Sequence, residues 1–254
     1  MYPSFAARVA SRASPAERVI MSRLGVPGWS DGSDLVHGFL SRDTRPYDPD
    51  GHDWSPQVEA HGAPAVSVVV ARQVHGTRVD WVDGPPAARP EADGLVTAVT
   101  GVAVGVVTAD CVPVLLLARR QRTIAAVHSG WRGTLGGIVG EAVARITSQG
   151  PRPDELQAAI GPAIGGCCYQ VGNDIRDAFE DRYGKPFVAD AFRDAEPRPY
   201  LDLRPIVRRQ LEVAGLAPDA IQTVGPCTRC DETYASVRRD GPRAGRQLSF
   251  IGWR

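Results

Sequence analysis

The sequence predicts an α/β protein built on mixed β-sheets, and three observations carry that reading. The runs at 102–107, 114–118 and 123–127 are apolar, β-branched and of strand length. Arg119, Arg120 and Arg122 around Gln121 form a charged turn between the last two, which makes that pair an antiparallel hairpin. Further on, helical and strand patterns alternate, so helices pack on sheets that are mixed rather than purely parallel.

The remaining elements follow in chain order. Residues 1–35 are rich in Ala, Ser and Arg and poorly defined, with a short helix expected over 16–24, ended by Gly25 and Pro27. A strand is expected at 36–40. The stretch 41–56, dense in Asp, Pro and Gly, reads as a loop and carries Arg42 and Arg45. The run VSVVVARQV at 66–74 reads as a strand that delivers His75 at its end, with a partner strand at 77–82. Pro113 is expected to stop the sheet ladder beside Cys111. Apolar residues at helical spacing from Leu135 to Ile146 predict one helix over 133–148, stopped by Gly150 and Pro151. Later come strands at 158–160, 221–224 and 247–251 and helices at 173–183 and 202–214, the last with Pro205 in its first turn.

With 254 residues, 43% of them hydrophobic, the chain can bury a substantial core, and one domain over 1–254 is expected. No run approaches the ~18 to 20 apolar residues of a membrane span, and the N-terminus lacks an export signal, so a soluble cytoplasmic protein is expected. Lys plus Arg equals Asp plus Glu at 29 each, which gives no reason to expect nucleic acid or a membrane surface as partner. A small molecule is the expected partner, and a monomer the expected state.

The chemistry gathers between residues 104 and 134. Cys111 and His128 fall at strand ends, where a sheet fixes the backbone and lets the side chain point beyond it. A thiol and an imidazole so placed can be a nucleophile with its base, two ligands of a soft metal, or core packing. The turn Ser129-Gly-Trp-Arg-Gly133 enters a helix beside Arg132 and suits an anion. The other four cysteines are Cys167, Cys168, Cys227 and Cys230. The last two have the C-x-x-C spacing of half a zinc site and the adjacent pair could supply the rest, but neighbouring cysteines chelate one tetrahedral ion only with strain, so packing is the expected role.

Seven motifs taken together resemble one family: Arg72-Gln-Val-His-Gly76, Ala92-Asp-Gly94, Thr108-Ala-Asp-Cys-Val-Pro-Val114, Ala126-Val-His-Ser-Gly-Trp-Arg-Gly133, Ile160-Gly-Pro-Ala-Ile-Gly165, Cys168-Tyr-Gln-Val-Gly172 and Ser236-Val-Arg-Arg-Asp-Gly241. This is the YfiH family, named variously a polyphenol oxidase (laccase domain) family, purine nucleoside phosphorylase and peptidoglycan editing factor. The resemblance covers about 180 residues from Arg72 to the C-terminus. It implies a four-layer α/β/β/α domain with helices outside two mixed sheets, related to the toxin deamidase fold. It also implies a zinc site made by His75, Cys111 and His128, which double as catalytic residues, with copper a lesser alternative.

The implied activity is phosphorolysis of adenosine, inosine and methylthioadenosine, with adenosine deamination at the zinc and phosphate held by Arg132 and Arg42. The chain departs from the family at the N-terminal side of the motifs, where the glycine-rich loop that usually accompanies the Arg42 counterpart is missing. Two alternatives share the same residues: an amide hydrolase acting on cell-wall precursors, with Cys111 as nucleophile and His128 as base, and a metal-binding module without catalysis. A four-copper laccase is excluded by counting, since its two copper centres need about ten histidines and this chain has five. His37, His52 and His61 are expected in loops.

Overall fold

The computed structural model describes residues 22–30, 34–43, 53–61 and 66–254. The chain runs through β1 (Arg23–Leu24), β2 (Leu35–Leu40), a short helix α1 (Ser55–Ala60), β3 (Ser67–Val70), β4 (Val79–Trp81) and β5 (Gly94–Thr97). Three seven-residue strands follow with no helix between them: β6 (Val102–Thr108), β7 (Val112–Ala118) and β8 (Thr123–Ser129). Next come α2 (Trp131–Gly136), α3 (Ile138–Thr147), β9 (Gln157–Ile160), α4 (Asn173–Tyr183) and α5 (Lys185–Val188). The chain ends with β10 (Phe192–Arg193), β11 (Tyr200–Leu201), α6 (Leu203–Val213), β12 (Ile221–Thr223), α7 (Val237–Asp240) and β13 (Gln247–Trp253).

Two mixed sheets form the frame. One has the order β1-β2-β13-β6-β3 and the other β12-β9-β7-β8-β5-β4, with parallel pairs at β3/β6, β4/β5 and β9/β12. The period of two along each strand sorts side chains into layers. Val112, Val114 and Leu116 of β7 with Ala125 and Val127 of β8 meet Val139, Val143 and Ile146 of α3 and Ile206 and Leu211 of α6. On the opposite face Leu115, Leu117, Ile124 and Ala126 meet Phe39, Val104, Val106 and Ile251 of the other sheet. The outer face of that second sheet, with Val36, Leu40 and Phe250, is covered by Trp54 and by Val58 of α1. The layers are therefore α/β/β/α, as the family resemblance implies.

Several expectations need correction. β3 stops at Val70, and β4 pairs with β5 in the other sheet rather than with β3. Beyond Val70 the side chain of Gln73 takes over from the ladder: its amide donates to the Val107 carbonyl at 2.8 Å and its carbonyl accepts from the Val107 N–H at 2.7 Å. Pro113 does not end a strand but pairs with His128 inside β7. The helix expected over 133–148 begins at Trp131 and breaks at Gly137, whose φ of 82° lies in the left-handed region that glycine adopts without penalty. Pro56 lies in the first turn of α1, where its missing N–H is harmless. Ser22 lies outside any helix and Arg23 and Leu24 belong to a strand; residues 16–21 of the expected helix lie outside the described residues, as do Arg45 and His52.

His37 belongs to the strand expected at 36–40 rather than to a loop: it is a fully buried member of β2, and its Nε2 accepts the Val26 N–H at 3.0 Å. Burial, reinforced by the charge of Arg23, lowers its pKa to about 4. Because the folded value lies below the unfolded one, the neutral ring contributes stability that is complete above pH ~6.5 and is lost as pH falls toward 4, on the order of 3 kcal/mol in all. The thermal midpoint of the wild-type protein should therefore fall more steeply between pH 6.5 and 4 than that of His37→Gln. Parallel curves for the two proteins would show that His37 is not the acid-sensitive group.

Candidate metal centre

The site lies where the space between the two sheets opens at one end. His128 shares strand parity with Ile124 and Ala126, so its ring enters the inter-sheet layer at the last turn of β8, where it is buried. Cys111 sits in the short connection from β6 to β7 and is half-buried. His75 arrives from the loop after Gln73, five residues past the end of β3, and is exposed. One donor atom from each of these three residues lies within 4.8 Å of the others, and the two imidazoles meet edge to face at 4.8 Å between centroids.

One buried carboxylate organises this convergence. Asp93, fully inaccessible between β4 and β5, accepts the backbone N–H groups of Val74 at 3.2 Å, His75 at 2.9 Å and Gly76 at 2.7 Å, and meets His128 Nδ1 at 2.8 Å. Burial opposes its charge, but the hydrogen bond and charge of His128 and the Gly76 and His75 amides outweigh that and hold its pKa below the usual carboxylate value. The bond to Nδ1 leaves Nε2 of His128 for a metal or for the thiol, the usual carboxylate–histidine arrangement behind a metal ligand.

Backbone strain marks the same place. Only three non-glycine residues among those described have positive φ, and two of them are His75 (61°) and Asp110 (93°). Such conformations cost roughly 1 to 3 kcal/mol each and persist only where the surroundings enforce them. Asp93 enforces the first. The second is held by Thr228 Oγ1 and Arg238 N–H, both donating to the Asp110 carboxylate at 2.8 Å, and by the Ile164 N–H on its carbonyl at 2.9 Å. Gly130 is glycine for lack of room: a Cβ there would lie 3.1 Å from Cys111 Sγ and 3.3 Å from the His75 ring.

The electrostatics favour a charged thiolate–imidazolium pair in the absence of metal. Burial works against the Cys111 thiolate, but the His128 charge and hydrogen bond, with those of His75, bring its pKa down to about 6. Burial likewise opposes the His128 cation, and Cys111 and Asp93 together raise its pKa to about 9. Two imidazoles and one thiolate at this spacing suit zinc, whose ligands stand ~2.0 to 2.3 Å from the ion, and three protein ligands leave a fourth position for a non-protein group.

The trio opens into a cleft of about 270 Å³ lined also by Arg72, Gln73, Thr108, Val237 and Arg246. The two predicted phosphate cations stand elsewhere. Arg132 is exposed in the first turn of α2, its guanidinium 4.5 Å from the Trp131 ring centroid, and Arg42 faces the charge of Asp240. Neither lines the cleft. Arg72 and Arg246 were not singled out from the sequence, although Arg72 opens the motif that contains His75. Asp93 was likewise given no role, although Ala92-Asp-Gly94 is one of the family motifs.

The four remaining cysteines do not pack as expected. Cys167 and Cys230 are exposed, and Cys168 and Cys227 are only half-buried.

Comparison with known proteins agrees with this architecture. Residues 54–254 match the family described as multi-copper polyphenol oxidoreductase laccase. The chain is 38% identical over 198 residues to purine nucleoside phosphorylase YlmD of Geobacillus stearothermophilus, covering 73% of this chain and 72% of the relative. It is 34% identical over 194 residues to adenosine deaminase RL5 of an unknown prokaryotic organism, covering 72% and 74%. The crystal structure of YlmD from Geobacillus stearothermophilus superposes with a TM-score of 0.76 at 31% identity over 92% of this chain and 96% of the other, and that of the hypothetical protein YfiH from Bacillus licheniformis with 0.76 at 27% over 87% and 93%.

Two outcomes follow from the geometry. Asp93→Asn should weaken zinc binding ~10- to 100-fold in a chelator competition, because an amide cannot accept four donors; unchanged affinity would leave Asp93 without the organising role. In metal-stripped protein, alkylation of Cys111 by iodoacetamide should show its inflection near pH 6, whereas an inflection near the ordinary thiol value of ~8.5 would deny the ion pair.

Proposed function

The chain belongs to the multi-copper polyphenol oxidoreductase laccase family, the YfiH family of its sequence motifs, and from that premise we propose that it is a purine nucleoside phosphorylase with adenosine deaminase activity, with zinc at His75, Cys111 and His128. The observation that carries this reading is the convergence of the three donors on an arginine-lined cleft. The names of the relatives supply the substrate class. Five unpaired cysteines favour a reducing compartment, and we place the protein in the cytoplasm.

Phosphorolysis joins a phosphate oxygen to the ribose anomeric carbon as the bond to the purine nitrogen breaks, and the departing base takes up a proton. The protein's share is positioning and charge. Arg72 and Arg246 line the cleft, and their positive charge favours a phosphate there, with Arg72 sharing its guanidinium between that anion and Glu91. Gln73 holds the His75 loop on β6, and Asp93 fixes the ring of His128, so the floor of the cleft is set before substrate arrives. Zinc, when bound there, supplies the Lewis acidity that makes water nucleophilic near neutral pH, which deamination requires and phosphorolysis does not.

One further observation favours a second reading. Cys111, His128 and Asp93 form a hydrogen-bonded series like that of a cysteine hydrolase, with a thiolate to attack an amide carbonyl and an imidazolium to protonate the leaving amine. The fate of phosphate separates the two. As a phosphorylase, the protein should cleave inosine only with phosphate present and yield ribose 1-phosphate, and Arg246→Ala or Arg72→Ala should raise the phosphate requirement ~10-fold or more through loss of a charge-assisted contact. Inosine turnover that ignores phosphate, or none at all while an amide-linked cell-wall precursor is cut, would hand the site to the hydrolase reading.

A further inference from the structure

The four cysteines outside the cleft occupy a second place where the fold gathers metal-binding donors. Cys167 and Cys168 lie in the loop after β9, and Cys227 and Cys230 in the loop after β12. Because β9 and β12 are adjacent parallel strands, both loops leave the sheet at the same end. The register carries on past the strands, with Ala163 bridging Cys227 and the Thr228 N–H donating to the Ala163 carbonyl at 3.1 Å. All four sulfurs lie within 4.8 Å of one another, with Cys168 to Cys230 at 3.3 Å and Cys167 to Cys230 at 3.6 Å.

That spacing fits a single ion. Four sulfurs placed tetrahedrally at ~2.3 Å from zinc stand about 3.8 Å apart, which falls inside the observed range. Packing does not explain the cluster, since two of its members are exposed. The objection that adjacent cysteines strain a common ion applies to a strand, where neighbouring side chains point to opposite faces. Here Cys167 and Cys168 sit in a turn closed by the Cys168 N–H on the Gly165 carbonyl at 2.9 Å, and both sulfurs reach the same side. The C-x-x-C segment turns in the same way, with the Cys230 and Asp231 N–H groups on the Cys227 carbonyl at 3.1 Å.

Polar donors reach two of the four sulfurs. The Gly165 N–H donates to Cys227 Sγ at 3.3 Å, and Arg229 places a guanidinium nitrogen 3.5 Å from Cys168 Sγ. Arg204, clamped by both oxygens of Asp202, lies against the same loop and feels the charges of Cys167 and Cys227.

We propose that Cys167, Cys168, Cys227 and Cys230 hold a structural zinc ion in a closed four-thiolate site. Four protein ligands leave no position for substrate, so the ion's part is to clip two loops together. Between the two cysteines of the C-x-x-C segment lies Thr228, fully buried, whose hydroxyl reaches the Asp110 carboxylate. The clip thereby holds the strained residue that precedes Cys111, and couples a structural ion to the geometry of the cleft.

Elemental analysis tests this independently of the cleft. The variant His75→Ala/Cys111→Ser, which dismantles the trio, should retain about one zinc per chain after dialysis, and adding Cys227→Ser/Cys230→Ser should remove it. A wild-type content of about two would then assign one ion to each site, and a content of one in both wild type and the trio variant would count against the cleft metal alone. Should the serine variants fail to fold, cobalt replaces zinc in the trio variant, and the intense visible absorption of tetrahedral thiolate-bound cobalt is the expected signature. A trio variant that holds neither zinc nor cobalt, or whose four thiols are paired as disulfides in the purified protein, overturns the proposal.

Discussion

A single buried carboxylate sets the geometry on which the candidate site depends. Asp93 gathers three consecutive backbone amides and one imidazole, and no water reaches it to compete. Each of those donors belongs to a segment that carries a proposed ligand, the loop of His75 or the end of β8. Removing a charge-assisted partner from a buried group costs several times the mean value of a hydrogen bond, so the four contacts stand or fall together. The left-handed backbone of His75 is the local cost of placing an exposed imidazole opposite a buried one.

The two sheets supply the frame within which that carboxylate works. β7 and β8, apolar on both faces, fix Pro113 and His128 in register, and the connection before β7 carries Cys111 to the same end. Asp110 is restrained from the far side by Thr228, Arg238 and Ile164. The thiol is thus fixed between a turn held by the cysteine-bearing loops and a histidine held by Asp93. The two clusters of metal-binding donors differ in the way their proposed roles require: three ligands facing a cleft, and four meeting one another across two loops.

Much of the frame was legible in the sequence because the apolar, β-branched runs at 102–107, 114–118 and 123–127 admit few other readings. The order of β6, β7 and β8, their hairpin at Arg119–Arg122, and the helices that cover them followed from period and length alone. What escaped the reading depended on contacts distant in sequence. Nothing local distinguishes Val70 as the end of β3, since the ladder is continued by a Gln73 side chain reaching 34 residues away. Gly137 sits within an unbroken helical pattern, and its left-handed conformation is a property of the packed structure. Asp93 stands out in the sequence only as part of a motif, since its partners come from the loop around His75 and from the end of β8. The proximity of Cys167 and Cys168 to Cys227 and Cys230 is set by the parallel pairing of β9 with β12, which no spacing rule contains. The arginines that line the cleft were overlooked for the same reason: Arg246 lies near the C-terminus and meets the site only through β13.

The central claim is that Asp93 holds His75, Cys111 and His128 as one metal centre beside an arginine-lined cleft. A crystal structure of the wild-type protein grown with zinc, phosphate and a purine nucleoside, with data recorded on both sides of the zinc absorption edge, tests it most directly. The account predicts an anomalous peak ~2.0 to 2.3 Å from a nitrogen of His75, Cys111 Sγ and His128 Nε2, with His128 Nδ1 still on Asp93 and phosphate against Arg72 and Arg246. An empty trio under saturating zinc, or a metal-bound trio in which His128 has turned away from Asp93, would contradict it.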